Sequence, residues 1–258
     1  MQTTSDIVLI TRPEREASML KRKLETKGIP SLLAPLIKLS LTEDLQPIKE
    51  QLNQMEKFDW VIFTSPNSVA FFFEIIEKEN IKLYFFPNLK FATVGEKTKM
   101  KLEELGYRTN FVPIKFTAKV LAENIHDIKG KNILIPTSNL SNRDYINTLE
   151  KRSARVTAIK IYNNQENKVD EATLSKLYES ELKYITFCSG SAIHSFVRQL
   201  GPFDEFLKDK MVITIGPSTT YVAKELNIDV DFEANPHTED GIVEAIINNL
   251  RDEQTKKT

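Results

Sequence analysis

A short apolar run that ends in glycine and continues into a hydroxyl-bearing turn constrains this chain more than any other feature. It occurs at Met211–Thr220 and, in shorter form, at Phe91–Thr98. A helical pattern follows in both places, so each segment predicts a strand, a turn and a helix of a parallel α/β sheet. The first N–H groups of such a helix are unpaired at the carboxyl edge of the sheet. They can bind anions there without a cationic side chain.

Two alignments of the chain with itself indicate an internal duplication. Phe63–Val69 matches Phe187–Ile193, and Val94–Phe111 matches Ile215–Phe232, at offsets of 124 and 121 residues. Repeated strand–turn–helix segments predict two similar domains, each a parallel sheet with helices on its faces.

Two further segments, Ile37–Leu41 and Val156–Tyr162, alternate apolar and polar residues. This alternation is typical of a strand with one covered face. If the two segments pair as a two-stranded connector, the first βαβ unit belongs with the last third of the chain. The expected organisation is then a discontinuous α/β domain, an inserted α/β domain and two connector strands: 1–37 plus 164–258, 44–156, and 38–43 with 157–163.

Composition excludes several classes of protein. The 258 residues suffice for two domains, and a net charge of −1 provides no basic field for nucleic acid. One cysteine, Cys188, excludes an intrachain disulfide framework and fits a reducing compartment. No apolar run approaches a membrane span, and the start lacks the basic region of a signal peptide. We therefore expect a cytoplasmic monomer without nucleic-acid or membrane partners.

Conventional catalytic and metal-binding motifs are missing from the sequence. It contains no Walker A loop, no G-x-G-x-x-G and no H-E-x-x-H, and Ser65 and Ser191 lie in no G-x-S-x-G elbow. His126, His194 and His237 share no metal-like spacing, so each is expected to be a surface or helix-side residue. We expect no metal and no cofactor, and the missing phosphate loops disfavour a phosphosugar or nucleotide enzyme.

The candidate ligand-binding residues are hydroxyl and cationic side chains at predicted helix starts. For a single Ser or Thr, an N-cap worth about 1 kcal/mol is the simpler explanation. Thr98 and the run Ser218–Thr220 stand out because they recur at matched positions after a strand-ending glycine, where backbone and hydroxyl can approach a ligand together. The side chains at these starts are Thr11, Arg12, Ser65, Lys97, Thr98, Thr137, Ser138, Ser189, Ser191, Ser218, Thr219, Thr220 and Thr238.

Nearly the whole chain resembles the uroporphyrinogen-III synthase family, through motifs that stand in the same order. They are Ile10–Pro13, Phe63–Val69, Val94–Thr98, Ile161–Tyr162, Ile215–Thr220 and Thr238–Ala245. The resemblance implies two α/β domains joined by a two-stranded connector, with the active site in the cleft between them. It also implies that hydroxymethylbilane is closed to uroporphyrinogen III without a cofactor, with loss of water and inversion of the terminal pyrrole ring.

The resemblance makes Tyr162 the candidate proton donor for the departing substrate hydroxyl. A purely structural role, in which the aromatic ring fills the domain junction, explains a tyrosine at this position equally well. Where many relatives have Gly-Pro-Thr-Thr-Ala, this chain has Ser218 and Tyr221, which leaves open whether Thr219 or Thr220 faces the ligand.

Transient contact with the preceding pathway enzyme is a further expectation. The alternative is a non-catalytic intracellular binder of a small anion. The expected substrate-binding residues are Thr11, Arg12, Ser65, Thr98, Ser189, Ser191, Ser218, Thr219 and Thr220.

Overall fold

The computed structural model describes residues 6–141 and 143–256, without the side chains of Arg15, Gln254 and Lys256. Within these residues, strands and helices alternate along the chain. The strands are β1 (Ile7–Ile10), β2 (Ser31–Leu33), β3 (Ile37–Leu41), β4 (Trp60–Phe63), β5 (Lys90–Thr93), β6 (Asn132–Ser138), β7 (Arg155–Glu166), β8 (Leu182–Phe187), β9 (Met211–Thr214) and β10 (Phe232–Glu233). The α-helices are α1 (Glu14–Glu25), α2 (Gln46–Leu52), α3 (Pro66–Lys78), α4 (Glu96–Glu104), α5 (Ala118–Asn124), α6 (Asp144–Lys151), α7 (Glu171–Glu179), α8 (Gly190–Gln199), α9 (Phe203–Leu207), α10 (Pro217–Glu225) and α11 (Glu239–Lys256).

The chain divides into two compact units, each built on one five-stranded sheet. Unit 1 comprises residues 1–38 and 165–258, and unit 2 comprises residues 39–164. The strand order is β10-β9-β8-β1-β2 in unit 1 and β3-β7-β6-β4-β5 in unit 2. The following neighbouring strands are parallel: β1 with β2 and β8, and β9 with β8 and β10, in unit 1; β4 with β5 and β6, and β6 with β7, in unit 2. The predicted fold of two similar parallel-sheet α/β domains is therefore confirmed.

The duplication is visible in the order of the strands. β8, β9 and β10 of unit 1 match β4, β5 and a parallel bridge between Ala92 and Phe111 in unit 2. On the other side of β8 and β4, the pair β1 and β2 occupies the places of β6 and β7. The two units thus contain equivalent βαβ pieces, and the piece that comes first in unit 1 comes last in unit 2.

The two alternating segments lie next to each other as β3 and β7. The Thr42 N–H donates to the Ile161 carbonyl at 2.9 Å, just beyond the end of β3. β7 also pairs with β6 from Arg155 to Tyr162, so it belongs to the sheet of unit 2 as well as to the connector pair. The division between the units falls within β3 and within β7. The domain bounds expected from the sequence stay a prediction.

Both faces of each sheet are covered, as parallel sheets require. Along β4, Val61 and Phe63 pack into one hydrophobic cluster, while Trp60 and Ile62 pack into another on the opposite face. In unit 1, β1 contributes Val8 to a cluster with residues of α1 and α11. Since the faces are occupied by helices, the polar turns collect at the carboxyl edges of the sheets.

Candidate functional site

A hydrogen-bonded pair of hydroxyls, Ser65 and Tyr162, lies at the carboxyl edge of the unit 2 sheet. Ser65 Oγ and Tyr162 Oη are 3.1 Å apart. The Tyr162 side chain is 7% exposed, and its ring stacks on Phe71 with centroids 4.9 Å apart. Ser65 caps α3: its Oγ accepts the Ser68 N–H at 3.0 Å, and the Ser68 hydroxyl accepts the Ser65 N–H. This capping box confirms the predicted cap and holds the phenol against a helix start.

A second phenol, Tyr145 of α6, was not found by the sequence analysis. Tyr145 is 5% exposed, and its hydroxyl has no hydrogen-bond partner in the described part of the chain. The Thr64 hydroxyl is an electrostatic neighbour, but the pair does not meet hydrogen-bond geometry. Burial raises the pKa of Tyr145 to about 12, so the phenol is neutral at physiological pH. In the sequence, Tyr145 looks like one more apolar position beside Ile146.

The start of α4 carries Gly95 at the N-cap and Thr98 one turn later. Thr98 is only 4% exposed, so its hydroxyl lies inside the unit. Gly95 has an extended backbone with φ −162°, which any residue can adopt. Glycine is favoured here because Phe116 packs closely on it: a Cβ added to Gly95 would lie 3.2 Å from the Cβ of Phe116.

The start of α10 places its hydroxyls in different surroundings. Ser218 is exposed, whereas Thr219 is 2% exposed. Thr220 is half-buried; its Oγ1 lies 2.6 Å from Thr214 Oγ1 and donates to the Glu233 carboxylate at 2.5 Å. Of the three candidates, only Ser218 is both exposed and at the helix start. Thr219 matches Thr98 in burial as well as in sequence.

The polar side chains of the first turn after β1 have partners within unit 1, although Arg12 Nε is buried without a hydrogen-bond partner among the described residues. Thr11 is fully buried and donates to the Thr186 carbonyl at 2.7 Å. The Arg12 guanidinium pairs with Glu16 at 2.7 Å and with Glu239. A ligand carboxylate at Arg12 would therefore compete with two carboxylates of the protein.

The turn after β8 behaves as predicted for a helix start. Ser189 caps α8 by accepting the Ala192 N–H at 3.3 Å, and its Oγ is 3.1 Å from Ser191 Oγ. Thr238 Oγ1 likewise accepts the Gly241 N–H at 3.3 Å, which confirms the predicted cap of the last helix.

The predicted caps Thr137 and Ser138 are wrong. Both residues belong to β6, and α6 begins only at Asp144. β6 continues to pair with β7 as far as Ser138, so the backbone of these residues is extended where a helix start was expected. The Ser138 hydroxyl lies 3.1 Å from the Ser141 hydroxyl in the following turn.

The residues described offer hydroxyl groups, a phenol paired with a serine hydroxyl, and helix N–H groups, which suit anion binding and proton donation. Among them, no three His, Cys, Asp or Glu side chains form a group that could hold a metal ion. Across the same residues, none of the helices has the length and apolar character needed to cross a membrane.

The sequence is similar to a protein-family model and to curated proteins of porphyrin biosynthesis. The family model described as "Uroporphyrinogen-III synthase HemD" matches residues 18–244. The "Porphyrin biosynthesis protein HemD" of Ruminiclostridium josui is 27% identical over 86% of this chain, which spans only 44% of that longer protein. The uroporphyrinogen-III synthase of Synechococcus elongatus is 24% identical, with 93% of each chain covered.

Solved structures show the same fold. A mutant uroporphyrinogen III synthase of Thermus thermophilus is 15% identical and superimposes with a TM-score of 0.67 over 96% of this chain and 99% of its own. The Helicobacter pylori enzyme is 16% identical and gives 0.62 over 94% and 98%. With the family model matched over most of its length, this chain belongs to the uroporphyrinogen-III synthase family, the cyclising lyases of porphyrin and haem biosynthesis.

Proposed function

We propose that this protein closes hydroxymethylbilane to uroporphyrinogen III, with no cofactor, and that Tyr162 is its proton donor. The observation that carries the assignment of Tyr162 is its 3.1 Å contact with Ser65 at the carboxyl edge of unit 2. The linear substrate supplies most of the reactivity through its pyrroles. The protein must therefore hold the chain in the geometry for ring closure and help the terminal hydroxyl to leave.

In the first step, the Tyr162 phenol gives its proton to the terminal hydroxyl of the substrate. The carbon–oxygen bond breaks, water leaves, and an azafulvenium cation and a phenolate remain. The Ser65 hydroxyl then donates to the phenolate oxygen, and the nearby N-terminus of α3 favours the negative charge. A ring carbon attacks the azafulvenium cation to give a spiro intermediate. The phenolate recovers a proton when the rearranged pyrrole regains its aromaticity.

The substrate carboxylates are proposed to meet helix N-termini and the accessible hydroxyls beside them. Ser218 is exposed at the start of α10, and Ser189 and Ser191 are partly accessible at the start of α8. We assign the buried Thr11, Thr98 and Thr219 to support of these turns, because their burial leaves little room for a ligand at the hydroxyl.

We further propose that the protein acts as a cytoplasmic monomer and receives its substrate during transient contact with the preceding pathway enzyme. Free hydroxymethylbilane closes without catalysis to a different isomer of the product, uroporphyrinogen I (isomer I). A short transfer between enzymes would limit that loss.

The function is tested by supplying freshly made hydroxymethylbilane and identifying the porphyrin isomers after oxidation. We expect isomer III to predominate at enzyme levels that consume the substrate faster than it closes alone. Isomer I alone would overturn the proposal and favour a non-catalytic anion binder.

Replacing Tyr162 with Phe tests the proton donor. We expect kcat to fall about 100-fold, the lower end for general acid catalysis, while KM changes less than twofold. Among the described residues, the phenol hydroxyl has a hydrogen bond with Ser65 alone, so Tyr162→Phe should fold normally. Tyr84→Phe, at a side chain that is 72% exposed, is the control. An unchanged kcat in Tyr162→Phe would remove this residue from the mechanism.

A further inference from the structure

The internal match at an offset of 121 residues continues into the turns that follow the third matched strand. There Phe116 corresponds to His237, and Thr117 corresponds to Thr238. Both threonines accept the backbone N–H three residues further on, at 3.2 and 3.3 Å. The same capped turn therefore occurs once in each unit, and in both it carries a flat ring.

Each ring lies directly against a strand-ending glycine. A Cβ added to Gly95 would lie 3.2 and 3.3 Å from Cβ and Cγ of Phe116, and one added to Gly216 would lie 3.3 and 3.2 Å from the same atoms of His237. Gly216 has φ 165°, which is extended backbone like that of Gly95. Glycine at the two positions thus favours the close approach of the rings and is not required by an unusual dihedral angle.

The two rings nevertheless remain accessible. The Phe116 side chain is 60% exposed, and His237 is exposed as well. His237 Nδ1 lies 2.7 Å from the Ala234 carbonyl, which orients the imidazole ring, since a carbonyl oxygen can only accept. An exposed ring held at the same place in both units is a surface that a flat ligand ring can contact.

We propose that Phe116 and His237 are each a contact for a pyrrole ring of a tetrapyrrole. This proposal rests on the proposed function. A pyrrole has a flat apolar face and carries carboxylate arms. A ring that packs on Phe116 or His237 lies beside Gly95 or Gly216, so its arms can reach the N–H groups that begin the next helix.

The test compares KM for hydroxymethylbilane in Phe116→Ala and His237→Ala. We expect KM to rise about fivefold in each, with kcat within twofold, since ring packing acts alike on substrate and transition state. The exchange variants Phe116→His and His237→Phe keep a ring and should hold KM within twofold of the parent. Phe85→Ala is the matched control, because Phe85 is 68% exposed but precedes the start of β5.

Unchanged KM in both alanine variants, or an equal rise in Phe85→Ala, would overturn the ring contacts. Exchange variants that behave like the alanine variants would do the same. Binding of uroporphyrin III, followed by its fluorescence, tests the contacts without turnover, and we expect the same ranking of variants. A parent enzyme that yields only isomer I would overturn the proposed function, while the binding ranking would still decide on the two rings.

Discussion

At the scale of single residues, some matched positions of the two units differ in their contacts. Thr214 of unit 1 lies 2.6 Å from the hydroxyl of Thr220. Its counterpart Thr93 is fully buried, and its hydroxyl has no hydrogen-bond partner among the described residues. The position that matches Thr220 is Lys99, whose side chain pairs with Glu96 at 3.0 Å. Thr93 of unit 2 is therefore a buried hydroxyl without the partner that its counterpart has in unit 1.

This difference predicts opposite results for the same substitution. Thr93→Val removes an unsatisfied buried hydroxyl, so the free energy of unfolding should stay the same or rise by up to about 1 kcal/mol. Thr214→Val removes a satisfied one and should lower the free energy of unfolding by about 1 kcal/mol. Urea denaturation of both variants measures the contrast. Equal losses at the two positions would show that Thr93 has a partner in solution.

At the scale of elements, the last helix is held by the turn before it. A Cβ on Gly241 would lie 1.9 Å from the Pro236 carbonyl oxygen and 3.0 Å from backbone atoms of Asn235. The turn thus packs on the first turn of α11 without room for a side chain.

Helix propensity alone favours Ala over Gly by about 1 kcal/mol, but the clash at Gly241 has the opposite sign. We expect Gly241→Ala to lower the free energy of unfolding by about 2 kcal/mol or more, as measured by urea denaturation. Asn248→Ala is the control, because Asn248 is exposed in the same helix and should gain a few tenths of a kcal/mol. A stabilised Gly241→Ala would mean that the turn is loosely packed.

At the scale of the whole molecule, the two units differ in how the chain builds them. Both hydrophobic clusters of unit 2 consist of residues between 39 and 164. In unit 1, β1 is an internal strand of the sheet, between β2 and β8, although 171 residues separate its end from the start of β8.

We therefore expect a fragment of residues 37–166, which keeps β3 and β7 whole, to fold alone. Its urea unfolding should be cooperative, and its near-ultraviolet circular dichroism should show ordered aromatic rings. A fragment of residues 165–258 lacks the internal strand β1 and the edge strand β2, and it should show neither signal. A non-cooperative 37–166 fragment would contradict the independence of unit 2.

The sequence by itself was enough to predict the parallel α/β class, the duplication, the pairing of the alternating segments and the caps Ser65, Ser189 and Thr238. These features depend on apolar periodicity and on side chains that bond to backbone a few residues away. The caps predicted at Thr137 and Ser138 failed because pairing with β7 extends the strand through them.

Only the tertiary structure decided which polar groups remain available at the carboxyl edges. Thr11 bonds to Thr186, and Arg12 is occupied by Glu239, across 175 and 227 residues of chain. The buried Tyr145 and the packing of Phe116 on Gly95 are likewise products of the folded sheet. A local pattern specifies where a strand ends and a helix begins. The partner of each hydroxyl at that edge is set by side chains that folding brings together from distant parts of the sequence.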